Sequence, residues 1–168
     1  KMQMDIVNFY RNNREILASI QDENNKASVY QYYEQKAREI VELLKDQEID
    51  CFSDDTEFVK YEGDLSSIGG ALNSNTLQTT LDDNQLEFRI YKSTACTTLW
   101  FSRFKEQYMK KQDSVELQVF LKNENIPFFE YDGHHELLLL EESESISAEE
   151  FVEKAAPIIQ QILNKSGV

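Results

Sequence analysis

The sequence contains few of the residues that usually mark catalytic chemistry or a cross-linked scaffold. Its 168 residues include two cysteines, two histidines, two prolines and five glycines. Cys51 and Cys96 form neither a CxxC pair nor a disulfide framework, which is typical of a reducing compartment. No apolar run exceeds four residues, whereas a transmembrane helix needs about 20, and no secretory signal peptide is recognisable. We therefore expect a cytoplasmic protein that does not enter a membrane.

Positive charge is also scarce. Lys and Arg number 17 and Asp and Glu 31, which gives a net charge of −14. Such a surface repels the phosphates of nucleic acids and anionic lipids, so the expected partner is a protein, and a basic one is favoured. Residues 93–115 are the exception, with four basic and two acidic residues. Their cations interleave with aromatic residues, as in a helix whose cations cover its own apolar face. A surface that stacks RNA bases is the less favoured alternative.

Hydrophobic residues make up 40% of the chain, enough for a folded core. Helical spacing of apolar residues predicts a helix over about 3–20 and a second over about 28–46, with Ser28 as its N-cap. A strand is predicted over 56–62. The glycine-rich stretch 63–75 is then expected to form an irregular loop.

Alternation of apolar and polar residues follows. Residues 76–81 and 85–92 are predicted to pair as a hairpin, because Leu86, Phe88 and Ile90 alternate with polar neighbours. Residues 93–112 fit two interpretations. Threonines and a period of two allow a strand, whereas a four-residue recurrence that starts at Cys96 and good helix formers after residue 103 favour a helix.

Three further strands and a helix complete the predicted pattern. The strands are expected over 116–121, 126–131 and 134–140, with a two-residue turn at Asp132-Gly133 between the last two. Ser147 and Glu150 have the spacing of a capping box at the start of the final helix. Pro157 predicts a kink or a break inside that helix.

The predicted order is α-α-βββ-α-βββ-α, which indicates an α+β fold with an antiparallel sheet of about five to six strands flanked by helices. The first helix is an addition to this domain. We divide the chain into an N-terminal helical arm, residues 1–26, and an α+β domain, residues 27–168.

The two histidines, His134 and His135, are adjacent near the predicted turn. That turn places Glu130 opposite His135, and neighbouring strand residues point to opposite faces of a sheet. The two imidazoles therefore cannot readily hold one ion, and no metal-binding spacing surrounds them. We expect a solvated hairpin tip without a catalytic role.

Phosphate binding is not indicated either. Gly69 and Gly70 lie in a segment that invites comparison with a phosphate-binding loop, because glycines leave backbone amides accessible. The GxxxxGK[ST] pattern is absent, and the surroundings are acidic.

One enzymatic alternative is a degenerate magnesium-dependent nuclease. Residues 28–121 have the element order of a restriction-nuclease-like core, and Asp82 or Asp83 precedes Glu87 and Arg89. The lysine of the usual Glu-x-Lys motif is missing, and the negative charge opposes DNA binding. The residues therefore predict no enzyme, no cofactor and no metal site.

The element order from 28 to 164 resembles the type III secretion chaperone-like and YbjN-like fold. The local similarity is strongest in "FLKNENIPFFEYDGHHELLLLEESESISAEEFVEKAAPIIQQIL", where a turn, two strands, an acidic loop and a capped helix follow in order. The added first helix and the long 63–75 segment depart from that fold. The resemblance implies a non-enzymatic, acidic and often dimeric domain that holds a protein segment on its sheet or in apolar grooves.

The function expected from the sequence is that of a chaperone-like or adaptor-like protein-interaction domain. An acidic inhibitor or nucleic-acid mimic directed at a basic enzyme is the alternative. The candidate contact residues are apolar side chains of the strands and of the middle helix: Phe88, Ile90, Trp100, Phe104, Tyr108, Phe128 and Leu138.

Overall fold

The structure, a computed structural model, describes residues 4, 7, 8, 11, 23–62, 67–75, 77–78, 85–103, 111–130 and 136–165. The helices are α1 (Glu23–Asp46), α2 (Lys111–Asn123) and α3 (Ala148–Lys165). The strands are β1 (Phe58–Glu62), β2 (Ile68–Asn73), β3 (Leu77–Gln78), β4 (Gln85–Ser93), β5 (Cys96–Arg103), β6 (Phe129–Glu130) and β7 (Leu137–Ser143). Met4, Val7, Asn8 and Arg11 are also helical. The predicted α+β class is confirmed.

All described strands pair antiparallel in a single sheet. Their order is β1-β2-β4-β5-β7-β6. Strand β3 pairs with the N-terminal end of β4, whereas β2 pairs with its C-terminal end. Leu99 lies opposite Leu140 whereas Trp100 lies opposite Leu138, so Leu139 is an extra residue at a β-bulge. Edge strand β1 and the short β6 therefore lie at opposite ends of the sheet.

One face of the sheet carries the core. Leu86, Phe88 and Ile90 alternate along β4 and are fully buried, together with the β5 residues Leu99 and Phe101. Buried side chains from α1, α2 and α3 join the same cluster. We call this side the helix face and the opposite side the open face, because Val59, Tyr61 and Phe129 are exposed at the two ends of that side. Its middle is buried, at Thr98 and Leu138 among others.

Helices α1 and α3 form for the reasons that the sequence suggests. In α1, Val29, Tyr33, Ala37 and Leu44 recur at helical spacing and are fully buried. The helix begins at Glu23, however, so Ser28 lies inside it and is not the N-cap. The predicted boundary between residues 26 and 27 also falls within this helix.

The start of α3 is as predicted. The backbone N–H of Glu150 donates to Ser147 Oγ at 3.1 Å, which satisfies one of the free amides of the first turn. The neighbouring Phe151 is fully buried. The helix continues through Pro157, so the expected break does not occur.

Helices α1 and α2 end in the same motif. The N–H of Ile49 donates to Leu44 O, and that of Ile126 donates to Leu121 O. Glu48 and Asn125, the residues before these isoleucines, have φ values of 63° and 56°. This is the Schellman arrangement, in which a left-handed residue lets the next apolar side chain return to the core.

Two elements differ from their predictions. Residues 96–103 form strand β5 instead of the favoured helix, and residues 116–121, predicted as a strand, lie in helix α2. Side chains four residues apart share a face in a strand as well as in a helix, so the recurrence at Cys96 and Trp100 did not distinguish them. In α2, Leu117 and Leu121 are buried while Val119 is 51% exposed, which is the helical pattern.

The segment 63–75 also differs, because Ile68–Asn73 is strand β2 and not an irregular loop. Gly69 and Gly70 serve close packing there. A Cβ on Gly69 would lie 2.2 Å from the carbonyl oxygen of Lys92, and one on Gly70 would lie 2.4 Å from the ring of Phe58. Residues 63–66 lie outside the described part of the chain.

The two predicted hairpins have mixed outcomes. Leu77 pairs with Leu86 and Gln78 with Gln85, so the two predicted arms are antiparallel neighbours, while residues 79–84 lie outside the described residues. In the second hairpin Glu130 lies opposite Leu137, two positions away from the predicted partner His135. Residues 131–135, and with them the predicted Asp132-Gly133 turn, lie outside the described residues.

Candidate functional site

The predicted contact residues are divided between the two faces of the sheet. Phe88 and Ile90 are fully buried on the helix face, so in this conformation they serve the core. Phe128 is partly buried against the same core. Trp100 and Leu138 lie on the open face as register partners, Trp100 half-buried and Leu138 buried. Phe104 and Tyr108 lie outside the described residues.

The open face exposes large apolar side chains at both ends of the sheet. Val59 and Tyr61 on β1 are 46% and 53% exposed, and Phe129 on β6 is 61% exposed. Tyr61 packs edge-to-face on Tyr91 with ring centroids 5.6 Å apart. Strands lie ~4.8 Å apart, and β1 and β6 are the first and last of six strands in order, so the apolar ends are separated by about 24 Å.

A polar cluster crosses the middle of the open face. Arg89 on β4 forms an ion pair with Glu136 at 2.6 Å and donates from Nε to Asn73 Oδ1 at 2.8 Å. Its Nη2 lies 3.7 Å from Glu87, whose side chain is buried. Burial raises the pKa of Glu87, Arg89 lowers it and Glu136 raises it. Arg89 thus links β4 with β2 and with the residue that precedes β7.

This cluster bears on the nuclease-like alternative. Arg89 is engaged by two acidic side chains and an amide, so it is not free to bind a phosphate, and Glu87 is 6% exposed, so its carboxylate is not accessible to a metal ion. Asp82 and Asp83 lie outside the described residues, as do His134 and His135. Within the part of the chain that the structure describes, no group of three or more histidines, cysteines or carboxylates could hold a metal ion.

A second polar cluster lies where the helix face meets the end of β7. We call it the Glu144 cluster, and its members are Arg11, Tyr33, Lys92, Thr97 and Glu144. Arg11 Nε lies 2.7 Å from Glu144 Oε1, and the Tyr33 hydroxyl donates to Glu144 Oε2 at 3.1 Å. Lys92 Nζ donates to the carbonyl oxygen of Glu144 at 2.5 Å and to Thr97 Oγ1 at 2.6 Å. Glu144 therefore joins the N-terminal segment, α1 and β4.

Burial changes the acid–base behaviour of this cluster. It lowers the pKa of Lys92 from 10.5 to about 8, while the carboxylate of Glu144 acts in the opposite direction. The pKa of Tyr33 is raised, first by burial and then by Glu144. A lysine of lowered pKa beside a hydroxyl has the composition of a Ser/Thr–Lys catalytic pair.

A substrate has no access to Lys92 and Thr97, so the pair is not suited to catalysis. Lys92 is 3% exposed and Thr97 is fully buried. The Thr97 hydroxyl also donates to the carbonyl oxygen of Ser143 at 3.1 Å. A substrate could reach neither atom without displacing the core, so we assign the pair a structural role.

The sequence did not indicate that the members of the Glu144 cluster lie together. One signal was present: Lys92 continues the apolar alternation of Leu86, Phe88 and Ile90, so a charged residue occupies an inward position. Glu144 gave no comparable signal, because it lies 52 residues after Lys92 and inside an acidic run.

We expect Lys92 to make stability depend on pH between 8 and 10.5. As pH rises through this window the folded state releases the proton before the unfolded state does, so folding becomes more favourable. The gain from pH 7 to pH 9 should be about 1 kcal/mol. Urea unfolding at both pH values, for the wild type and Lys92→Met, measures it.

The variant comparison is needed because other groups titrate nearby. The pKa of the buried Cys51 thiol is raised to about 12, mainly by burial, which lowers stability above pH 9 in both proteins. Glu144, Arg11, Lys36 and Cys96 face Lys92 and are unchanged in the variant. Equal pH dependence of stability in the wild type and in Lys92→Met would show that Lys92 is not the group responsible.

Replacing Glu144 with glutamine should destabilise the protein by about 1–2 kcal/mol, because a mostly buried arginine loses its carboxylate partner. Glu142→Gln is the matched control. Glu142 pairs with Lys154 at 2.7 Å, but Lys154 is 54% exposed, so little change in the unfolding midpoint is expected. Equal losses in the two variants would show that burial of the pair does not matter.

None of the described helices is both long enough and apolar enough to cross a membrane. Comparison of the chain with protein-family models, with curated proteins and with solved structures found no match. What the chain does must therefore be inferred from its own residues and geometry.

Proposed function

We propose that this chain is a non-enzymatic protein-interaction domain, chaperone-like or adaptor-like, which binds an apolar, positively charged segment of a partner on its open face. The observation that carries the proposal is the exposure of Val59, Tyr61 and Phe129 on the side of the sheet opposite the helix core. Large apolar side chains exposed on one face of a sheet, here at its two ends, provide separate contact points for a protein segment.

Charge supports a basic partner. On the open face Glu87, Glu136 and Glu141 outnumber the single described cation, Arg89. The whole chain carries a net charge of −14. A partner segment with apolar side chains and flanking cations would match the aromatic ends of this face and be drawn to it electrostatically. The chaperone-like resemblance leads to the same kind of expectation.

The first experiment uses a defined probe of each charge. Reduced lysozyme is basic and aggregates on reduction, and reduced α-lactalbumin is its acidic counterpart. We expect the wild-type chain to suppress light scattering by lysozyme at equimolar ratio and to act weakly on α-lactalbumin.

Variants then locate the contact. Tyr61→Ser combined with Phe129→Ser should abolish the suppression, whereas Val119→Ser should retain it. Val119 is a matched control because it is 51% exposed but lies on α2, away from the sheet. Unfolding curves should be nearly unchanged in all variants, since exposed side chains contribute little to the core.

Affinity capture from the native cells identifies the physiological partner. Proteins retained by the wild type and by Val119→Ser, and lost with the Tyr61/Phe129 variant, are those that bind the open face. If the variant retains the same proteins and the same activity toward lysozyme, the open face is not the binding surface and the proposal fails.

A further inference from the structure

Strand β1 lies at one edge of the sheet and is fixed there by its neighbours. Two residues before the strand, the Thr56 hydroxyl donates to the carbonyl oxygen of Asn73 at 3.1 Å, and Arg38 Nη2 donates to the carbonyl oxygen of Thr56 at 2.9 Å. Within the strand, Phe58 is 6% exposed and its ring lies against Gly70. These contacts tie the start of β1 to β2 and to α1, so the strand is a preformed edge.

One side of the β1 backbone has no strand beside it in the part of the chain that the structure describes. A Cβ on Gly70 of β2 would lie 2.6 Å from the carbonyl oxygen of Val59, so that carbonyl points toward β2. Backbone groups of successive strand residues point to opposite sides, which directs those of Phe58 and Lys60 away from β2. Among the described strands, β1 pairs only with β2. A further strand can therefore pair with its outer edge.

The side chains beside this edge define which segment fits. Val59 and Tyr61 are 46% and 53% exposed on the open face. On the helix face, Lys60 Nζ lies 5.4 Å from the ring centre of Tyr30 in α1. Side chains of an added strand alternate between the same two faces. Apolar residues at every second position would meet Val59 and Tyr61, and the residues between them would meet a cation and a tyrosine.

Charge selects among the possible occupants. Asp54, Asp55 and Glu57 are exposed just before β1, and Asp54 is paired with Lys45. Every described strand pair of the sheet is antiparallel. An added antiparallel strand would place its C-terminal residues beside these carboxylates, which favours cations there. A second copy of β1 is a poor occupant, because an antiparallel pair centred on Lys60 would place two lysines opposite each other.

We propose that the outer edge of β1 receives an extended segment of a partner protein as an additional antiparallel strand. The segment has apolar residues at alternate positions and lysine or arginine at its C-terminal end. This inference rests on the proposed function, since the apolar residues of the added strand lie beside Val59 and Tyr61 of the open face. It adds that main-chain hydrogen bonds supply part of the affinity, so the chain recognises an extended stretch of a partner.

The first test uses a synthetic peptide of about nine residues, in which valine alternates with threonine and the last two residues are lysines. Two further versions carry N-methyl groups on alternate residues, on the odd-numbered residues in one and on the even-numbered residues in the other. These two sets of amides point to opposite sides of a strand. In titration calorimetry with the full chain, one version should bind about tenfold more weakly than the unmethylated peptide and the other about equally. Equal affinity of the two methylated versions would overturn the proposal.

The second test removes the outward amide of β1. Lys60→Pro lacks this N–H, whereas Lys60→Ala loses the same side chain and keeps the amide. Proline is tolerated on an edge strand where its nitrogen faces away from the neighbouring strand, so the two variants should have similar unfolding midpoints. The proline variant should bind the unmethylated peptide about tenfold more weakly than the alanine variant. Equal binding by the two variants would contradict pairing at this edge.

The charge of the segment is tested separately. Asp55→Asn combined with Glu57→Gln should weaken binding of the unmethylated peptide about threefold at low ionic strength and have little effect at high ionic strength. An affinity that is unchanged at low ionic strength would contradict the antiparallel placement of the lysines.

These outcomes are distinct from those that test the proposed function. If Tyr61→Ser with Phe129→Ser abolishes the suppression of lysozyme aggregation while the two Lys60 variants bind the peptide equally, the open face binds partners without strand addition. If the Tyr61/Phe129 variant keeps its suppression, the proposed function fails whatever the peptide result.

Discussion

Replacing Phe88 with alanine is expected to lower the free energy of unfolding by about 3–5 kcal/mol. Phe88 is fully buried in the central strand β4, and its ring stacks on that of Phe101, with centroids 5.1 Å apart and planes inclined by 26°. Removal of the ring loses its transfer free energy and leaves a cavity between the sheet and the helices. Because domains of this size have a total stability of only about 5–15 kcal/mol, the loss would be a large share of the whole.

Phe129→Ala is the matched control for this prediction. Phe129 is also a phenylalanine of the sheet, but its side chain is 61% exposed on the open face, so the same truncation should change stability by less than about 1 kcal/mol. Urea unfolding followed by tryptophan fluorescence and by circular dichroism measures both. Similar losses in the two variants would mean that the open face is buried in solution, which would also remove the basis of the proposed function.

Gly69→Ala is expected to destabilise the protein by about 3 kcal/mol or more. A Cβ at this position would lie 2.2 Å from Lys92 O and 2.5 Å from Ser93 Cα. Both are backbone atoms of β4, with which Gly69 pairs directly. A backbone inside a sheet cannot move aside as the end of a flexible side chain can, so strand β2 would have to separate from β4.

Ala71→Gly provides the opposite comparison in the same strand. Ala71 lies two residues further along β2, on the same face of the sheet, and is 6% exposed. Its loss of one methyl group should cost about 1 kcal/mol, from reduced burial and greater freedom of the unfolded chain. Thermal unfolding ranks the two variants. Gly69→Ala with a midpoint at or above that of Ala71→Gly would show that the sheet accommodates a side chain there.

Several elements could be predicted because a local period or cap specifies them. The buried positions of α1, the alternation of β4 and the Ser147 cap of α3 each depend on residues within a few turns or strand positions of one another. Phe88 and Ile90 were predicted as contact residues, but their side chains are fully buried on the helix face. Periodicity could not show that α1 and α3 cover the face of the sheet on which Phe88 and Ile90 lie. It therefore did not separate core residues from contact residues.

The errors have equally specific causes. Cys96 and Trp100 are four residues apart, a spacing that places side chains on one face of a strand or of a helix. Residues 96–103 form a strand because they pair with both β4 and β7. Gly69 and Gly70 were assigned to a loop because glycine is common in turns, whereas the close approach of β1 and β4 explains them.

The amino-acid sequence alone determined the α+β class, the C-terminal end of α1, the start of α3, the buried face of β4 and the negative charge, because these follow from neighbouring residues and from composition. Only the tertiary structure brought Arg11, Tyr33, Lys92 and Glu144 together and placed Val59, Tyr61 and Phe129 on one exposed face. Those groupings depend on strand order and register, and pairing between residues far apart in the chain leaves no periodic trace in the sequence.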